Sequence, residues 1–333
     1  MKVGISGFGR IGRMFLRAAV SQGALGKDFE VVMINNRSDE FTNAHLFKYD
    51  SAQGKFPGSV SVKEGTLTIN DYPIKWTRET EPSKIPWGEN GVDVVIESTG
   101  RFRGREDVQA HITAGAKRVI ISAPAQGCPM VVPGVNMDSA PRDETIFSLA
   151  SCTTNSIAPP LKVLSDNYEI VRGSVTTVHA YTNDQRILDG SHKDLRRARA
   201  AAVSIIPTTT GAARAIGKVI PSLEGKLDGF AMRVPVIDGS ASDITLQIKG
   251  ETSREELNSK LKEAAGGPMK GIIEYSEEPL VSSDIIGNPH SSIIDSAFTS
   301  ANGNLVKVLS WYDNEYGYSS RLVDFLKYIK TWE

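Results

Sequence analysis

At 333 residues the chain is long enough for two domains with separate cores. Apolar residues make up 40%, charged residues 23%, and the formal net charge is −1, so no global field draws nucleic acid or anionic membrane to it. Two cysteines, 24 positions apart, give neither a disulfide framework nor a zinc site, and no apolar run approaches the ~18 residues of a membrane span.

Met1 leads straight into a strand pattern without a charged-then-apolar leader, so a cytoplasmic protein with reduced thiols is expected. Val3–Ser6 is a short apolar run and ends in Gly7-Phe8-Gly9-Arg10-Ile11-Gly12, followed by a helical stretch with apolar Phe15, Ala18 and Ala19. Strand, glycine turn and helix in this order form a dinucleotide-binding context. Gly7 permits the tight turn, Gly9 lets backbone approach a pyrophosphate, and Gly12 lets helix pack on strand. The alternative is the same turn without a ligand.

A second strand, Val31–Ile34, runs into Asn35-Asn36-Arg37. This is the position where an acidic residue usually takes the ribose 2′-hydroxyl. Asn36 would not repel a 2′-phosphate and Arg37 could pair with it, which leans toward NADP or dual cofactor use. Equally, Arg37 is a solvated cation and Asn36 a weaker ribose ligand. Strands at Val92–Ile96 and Val119–Ile121 flank a helix over Glu106–Ala114 that Gly115 stops. Alternation of this kind makes a parallel sheet with ligands at the strands' carboxyl ends. Leu67–Trp87, with three prolines, reads as a hairpin-rich insertion carrying little functional information, and Cys128 reads as structural.

Thr145–Leu149 is strand-like and leads to Ser151-Cys152-Thr153-Thr154-Asn155. A lone thiol at a strand end that opens a helix is either a reactive nucleophile or a small buried hydrophobe. Pro159-Pro160 predicts a kinked or restarted helix ending near Leu164. Beyond Tyr168 the strands lengthen: Val171–Tyr181, Gly229–Val234, Ile244–Ile248 and Leu305–Trp311. Helices are expected over Gly211–Ile220, over Thr252–Ala265 with a Thr252/Glu255 capping box, and over Tyr318–Thr331.

The expected fold is therefore α/β: a Rossmann-type doubly wound parallel sheet, plus a second α+β domain on a mostly antiparallel or mixed sheet. Residues 1–150 with a C-terminal helix at 315–333 form the dinucleotide-binding domain, and 151–314 form the catalytic one.

His179 shares a strand face with Thr177 and Tyr181, and a Cys–His pair brought together by the fold is the usual activated thiol, an imidazolium lowering the thiol pKa. The other four histidines lack metal-site spacing, so no metal is expected. The polar stretch 182–206, with Lys193-Asp194-Leu195-Arg196-Arg197-Ala198-Arg199, is a solvated face, a subunit contact or an anion site. Thr208-Thr209-Thr210-Gly211 at a helix start offers a phosphate cradle, Ser151 and Thr153 offer similar groups beside the thiol, and Arg233 inside a strand needs a partner or a ligand. Together these suggest thiolate attack on an aldehyde, hydride transfer to nicotinamide, and cleavage of the thioester.

The motifs S-C-T-T-N at 151–155, T-T-V-H-A-Y-T-N-D-Q at 176–185, K-D-L-R-R-A-R at 193–199 and W-Y-D-N-E at 311–315 resemble phosphorylating glyceraldehyde-3-phosphate dehydrogenase, end to end. The resemblance implies Cys152 as nucleophile and His179 as activator and general base. It implies Thr182 and Arg233 on the substrate phosphate, and Ser151, Thr153, Arg197, Thr210 and Gly211 on the attacking inorganic phosphate. Arg10, Ile11, Ser122 and Asn314 would contact the cofactor, Asn314 at the nicotinamide. It also implies a homotetramer, with glyceraldehyde 3-phosphate as substrate.

Three departures stand out: Asn36 for the usual Asp, Gly190-Ser191 for the usual Leu-Pro before His192, and Thr80 within a changed adenine-side stretch, Glu79-Thr80-Glu81-Pro82. The first two both point to NADP, with Ser191 a donor for the 2′-phosphate. Ser156 replaces a second thiol often found there. A related aldehyde such as erythrose 4-phosphate is the alternative substrate. An RNA-binding role for the Arg196–Arg199 cluster is the alternative of another class, disfavoured by the near-zero charge.

Overall fold

A computed structural model describes residues 1–332, in two compact units. The first comprises 1–131, 137–150 and 319–332 of the described chain, the second 132–136 and 151–318. This division differs from the sequence-based one at 132–136, which belong to the second unit, and at 315–318, where the helix begins before the first unit resumes.

The first unit is built on an eight-stranded sheet. Its elements in chain order are β1 (Lys2–Ser6), α1 (Arg10–Ser21), β2 (Glu30–Asn35), α2 (Glu40–Lys48), the two-residue pair β3 (Tyr49–Asp50) and β4 (Gly54–Lys55), and β5 (Val60–Lys63). There follow β6 (Thr66–Ile69), β7 (Tyr72–Thr77), β8 (Val94–Glu97), α3 (Arg105–Thr113), β9 (Arg118–Ile121) and β10 (Ile146–Ser148). The order β10-β9-β8-β1-β2-β7-β6-β5 is parallel from β10 through β7 and antiparallel beyond. β8 is buried at every position, as a strand covered on both faces must be.

The chain leaves β1 to one side for β2 and returns on the other side for β8. This topological switch leaves a crevice at the carboxyl ends of the three strands. The stretch Leu67–Trp87 is not a separate insertion: β7 pairs in parallel with β2 and extends the sheet. Of its three prolines, Pro73 lies in β7, Pro82 opens a short 3-10 turn at Pro82–Lys84, and Pro86 lies just beyond it.

The second unit holds α4 (Cys152–Asn167), β11 (Ile170–Ala180), β12 (Ile206–Thr209), α5 (Ala212–Val219), β13 (Leu227–Val234) and β14 (Ser240–Ile248). It continues with α6 (Arg254–Gly266), β15 (Ile273–Ser276), β16 (Ser292–Asn302), β17 (Leu305–Tyr312) and the start of α7 (Tyr316–Lys330). Its seven-stranded sheet, ordered β12-β13-β11-β14-β17-β16-β15, is mixed, with β11/β13 and β15/β16 the parallel pairs. From Ser319 onward α7 belongs to the first unit, where Leu322, Phe325, Leu326 and Ile329 are buried and Phe325 meets Phe147 of β10 edge to face at 5.3 Å.

Two local expectations are corrected. α4 neither restarts at the prolines nor ends at Leu164; it runs through Pro159 and Pro160 to Asn167. Pro160 cannot donate to the carbonyl of Ser156, but the buried hydroxyl of Ser292 on β16 donates to it instead. A tertiary hydrogen bond thus fills the gap in the helix ladder. On α6 the cap is Ser253, one position later than expected: its hydroxyl accepts from the Glu256 N–H at 3.1 Å, while Thr252 bonds the Glu256 carboxylate.

Candidate active site

In the first unit a cleft at the switch point is lined by Ser6, Gly7 and Gly9 after β1, Asn35, Asn36 and Arg37 after β2, and Ser98, Thr99, Arg101 and Phe102 after β8. Glu79, Thr80, Pro82 and Ile85 close another side, so the stretch expected to carry little information supplies part of the wall.

Gly7 sits at φ +89°, a left-handed conformation. A Cβ on Gly12 would come within 2.4 Å of the Gly7 carbonyl oxygen and 3.3 Å of Ile5 on β1, so only glycine lets α1 pack this closely. At Gly9, the N-cap of α1, a Cβ would meet nothing within 4 Å, and no side chain caps the helix. The uncapped N–H groups and the positive helix end face an open cradle suited to a pyrophosphate.

Asn36 is tied into the loop, accepting from the Phe8 N–H at 3.0 Å and donating to Ser38 at 2.7 Å. An Asp could accept the first bond but could meet Ser38 only as an acceptor. Arg37 is exposed and, among the described residues, has neither a hydrogen bond nor an ion pair. Arg10 pairs with the buried Asp50 carboxylate, so its backbone, not its guanidinium, is what it offers the cleft. Ile11 is half-buried on the first turn of α1, and Ser122 follows β9 with its N–H bound to the Glu97 carbonyl.

In the second unit Cys152 is the first residue of α4, where the helix dipole favours an anion. Ser151 caps the helix, accepting from the Thr154 N–H at 3.0 Å. Ala150, just before, is held at φ +56°, a left-handed position that costs a non-glycine residue about 1–2 kcal/mol. This sharp turn between β10 and α4 places the thiol, and nothing in the sequence announced it.

Cys152 Sγ lies 3.5 Å from His179 Nε2. The opposite ring nitrogen, Nδ1, is 2.6 Å from the Ala180 carbonyl, which can only accept. Nδ1 also lies 2.9 Å from Arg233 Nη1, which can only donate, so a donor and an acceptor meet on the same ring nitrogen, while Nε2 faces the thiol.

Parallel pairing of β11 and β13 sets Arg233 directly beside His179. Arg233 Nη1 donates to the Ala180 carbonyl at 3.0 Å and reaches Thr182 Oγ1 at 3.5 Å; its buried Nε has no partner. Burial and then Arg233 push His179 down to about 3. Burial raises the Cys152 thiol, with Arg233 the largest opposing influence. Both shifts favour the neutral forms of the thiol and the imidazole, and Arg233 is the largest influence favouring the thiolate.

The remaining anion-site candidates differ in how free they are. Thr153 Oγ1 bonds the Tyr312 hydroxyl at 3.0 Å. Arg197 is paired with Asp184, donates to Thr208 at 2.9 Å and reaches the Thr209 carbonyl at 3.3 Å. Thr210 accepts from the Ala212 N–H at 3.2 Å, and Gly211 caps α5 with open space at its Cα. Asn314 is buried, and its carbonyl oxygen accepts from Ser240 at 2.6 Å. Ser191 is exposed in the long loop of the second unit, its carbonyl bound by Arg186.

Among the described residues no cluster of His, Cys, Asp or Glu is placed to hold a metal, and no helix is long and apolar enough to cross a membrane. Cys128 packs against the apolar core of the first unit.

Two family profiles match the chain: the glyceraldehyde 3-phosphate dehydrogenase NAD binding domain over residues 1–105, and the glyceraldehyde 3-phosphate dehydrogenase C-terminal domain over 151–314. Among relatives, glyceraldehyde-3-phosphate dehydrogenase of Streptomyces coelicolor is 54% identical over 333 residues, covering 99% of this chain and 98% of the relative. That of Geobacillus stearothermophilus is 54% identical with the same coverage, and that of Mycolicibacterium smegmatis 52% identical over 98% of this chain and 97% of the relative.

Proposed function

Because the chain belongs to the glyceraldehyde-3-phosphate dehydrogenase family, we propose that it catalyses the reversible oxidative phosphorylation of D-glyceraldehyde 3-phosphate to 1,3-bisphosphoglycerate through a thioester on Cys152, accepting NADP as well as NAD. The observation that carries the chemistry is the 3.5 Å contact between Cys152 Sγ and Nε2 of His179.

As the thiol attacks the aldehyde carbon, its proton passes to Nε2 and from there to the carbonyl oxygen, giving the hemithioacetal hydroxyl and leaving His179 neutral again. Protonating the buried imidazole is unfavourable alone, but the thiolate charge appears beside it at the same moment. Arg233, with an unsatisfied N–H and Thr182 beside it, takes the substrate's own phosphate. Inorganic phosphate then cleaves the thioester, held by the helix-start N–H groups at Ser151–Thr153 and Thr210–Gly211, with Arg197 released from Asp184. His179 takes the proton from the hemithioacetal hydroxyl as the carbon is oxidised.

The cofactor is a nicotinamide dinucleotide, whose bound ring supplies the hydride acceptor. Gly7, Gly9, Gly12 and the backbone of Arg10 and Ile11 would cradle its pyrophosphate, which the open Gly9 and uncapped helix suit. Thr80, Ser122 and Asn314 complete the proposed contacts. Residues 1–150 with 315–333 would be the cofactor domain and 151–314 the catalytic one.

NADP acceptance is supported by Asn36, which removes a carboxylate from the ribose position, by unpaired Arg37 at the cleft wall, and by Ser191. A homotetramer is supported by apolar residues left in water along the long loop: Ile187, Leu188, Leu195, Val203 and Ile205 are 63–81% exposed. Steady-state kinetics with glyceraldehyde 3-phosphate, phosphate and each cofactor test the cofactor choice. Expected are kcat/KM values for NADP and NAD within about tenfold; NAD favoured by several hundredfold would end the NADP part.

A further inference from the structure

The loop joining β13 to β14 carries Asp238, and the turn after β17 carries Asp313. Both are wholly buried at 0% exposure, and their carboxyl groups are hydrogen-bonded to each other. Two carboxylates cannot share such a bond without a proton. Asp313 already accepts from three backbone N–H groups, those of Gly287 at 2.7 Å, Glu315 at 2.9 Å and Tyr316 at 2.7 Å. Its oxygens are committed as acceptors, so the donor in the pair is Asp238, whose own Oδ1 accepts from the Gly239 N–H at 2.9 Å.

What this proton holds in place is informative. Two residues before Asp238, the Val236 carbonyl accepts from the Tyr181 N–H at 3.1 Å. Two residues after it, Ser240 Oγ accepts from the Ala180 N–H at 3.1 Å and donates to Asn314 at 2.6 Å. Gly239, at φ +84°, is packed so closely on Ser282 that a Cβ would fall 2.2 Å from its carbonyl oxygen.

We propose that Asp238 is a positioning residue that works as a neutral carboxylic acid, its proton bridging to Asp313 and so fixing both Asn314 and the His179 end of β11. Burial first, and then Asp313 and Glu315 from the turn after β17, push it up to about 9. Cys152, at the start of α4, feels it in turn: charge on Asp238 raises the thiol further. Ionising Asp238 therefore sets two negative charges against each other beside Asn314 and opposes thiolate formation. The link to activity rests on the thiol-dehydrogenase function proposed above; the protonation state is tested independently of it.

Three measurements on the full-length protein decide it. The infrared spectrum of the wild type at pH 7 should show the C=O band of a buried protonated carboxylic acid, fading above about pH 9 and missing in Asp238→Asn. Absence of the band from the wild type overturns the proposal whatever the variants do.

For stability, a carboxyl raised from 3.8 to about 9 contributes fully below about pH 3.8 and loses that contribution as pH rises through about 9. The stability of wild type relative to Asp238→Asn should fall over that window; parallel curves overturn the proposal. For activity, Asp238→Ala should lose about tenfold in kcat/KM at pH 7 and Asp238→Asn, which keeps a donor, should restore most of it. From pH 8 to 10 the wild-type rate should fall at least threefold relative to Asp238→Asn. An unchanged ratio, with the infrared band present, leaves a buried proton without a positioning role and overturns the proposal equally.

Discussion

The dinucleotide cleft and the thiol centre are built on opposite principles. The cleft is assembled from chain segments at the ends of β1, β2 and β8, and its key groups are backbone N–H groups and Gly9, which has open space around it. The thiol centre is densely hydrogen-bonded: Ser151 caps, Thr153 meets Tyr312, His179 meets Ala180, and Arg233 bridges two strands. A ligand that binds by backbone and dipole needs open concavity. A proton transfer needs groups whose positions are fixed before substrate arrives. The difference teaches where substitutions act: in the cleft through space and helix packing, at the thiol centre through a single atom.

The largest expected effect is at the thiol. Cys152→Ser should lower turnover by several orders of magnitude, and His179→Asn by about 10²–10⁴. Both variants should still bind cofactor, which a fluorescence titration checks. Near-normal turnover in Cys152→Ser would break the contrast by removing the nucleophile from it.

Next comes Gly12→Ala in the cleft. The added methyl has no room against the Gly7 carbonyl, so α1 must shift, with a stability loss of about 1–3 kcal/mol and a cofactor KM at least tenfold higher. Thiol alkylation at Cys152 should be unchanged, and a loss there would show that the two regions are not separable. The smallest effect is expected for Ser292→Ala, which leaves the buried Ser156 carbonyl without its donor at a cost of about 1–3 kcal/mol in thermal or urea unfolding, with kcat/KM within twofold. A stable variant would mean that the proline gap in α4 needs no tertiary support.

Much of the cleft was legible in the chain because its determinants are local. Gly7, Gly9 and Gly12 sit within six residues of one another, directly between a strand and a helix, and the packing distances confirm why a side chain is barred at Gly7 and Gly12. The wall formed by Glu79–Ile85 was not legible: its prolines suggested an insertion, and only the parallel pairing of β7 with β2 brings it to the switch point. At the thiol centre, residue types and strand alternation marked Cys152 and His179, but not their charge state. Neutrality follows from burial and from Arg233, which sits 54 positions from His179 and arrives beside it by strand register.

By itself the sequence determined the α/β class, the glycine turn, the long strands of the second unit and the identity of the thiol and its histidine. These depend on periodicity and on short motifs, interactions among near neighbours in the chain. Tertiary structure alone decided that α4 continues through two prolines, that Ala150 takes a left-handed conformation just before the thiol's helix, and that Arg233 stands where it favours the thiolate. It also paired Asp238 with Asp313. Each of these is a long-range hydrogen bond, a strained dihedral or a desolvated charge, whose energy depends on what the fold brings within a few ångströms and on how much water it excludes.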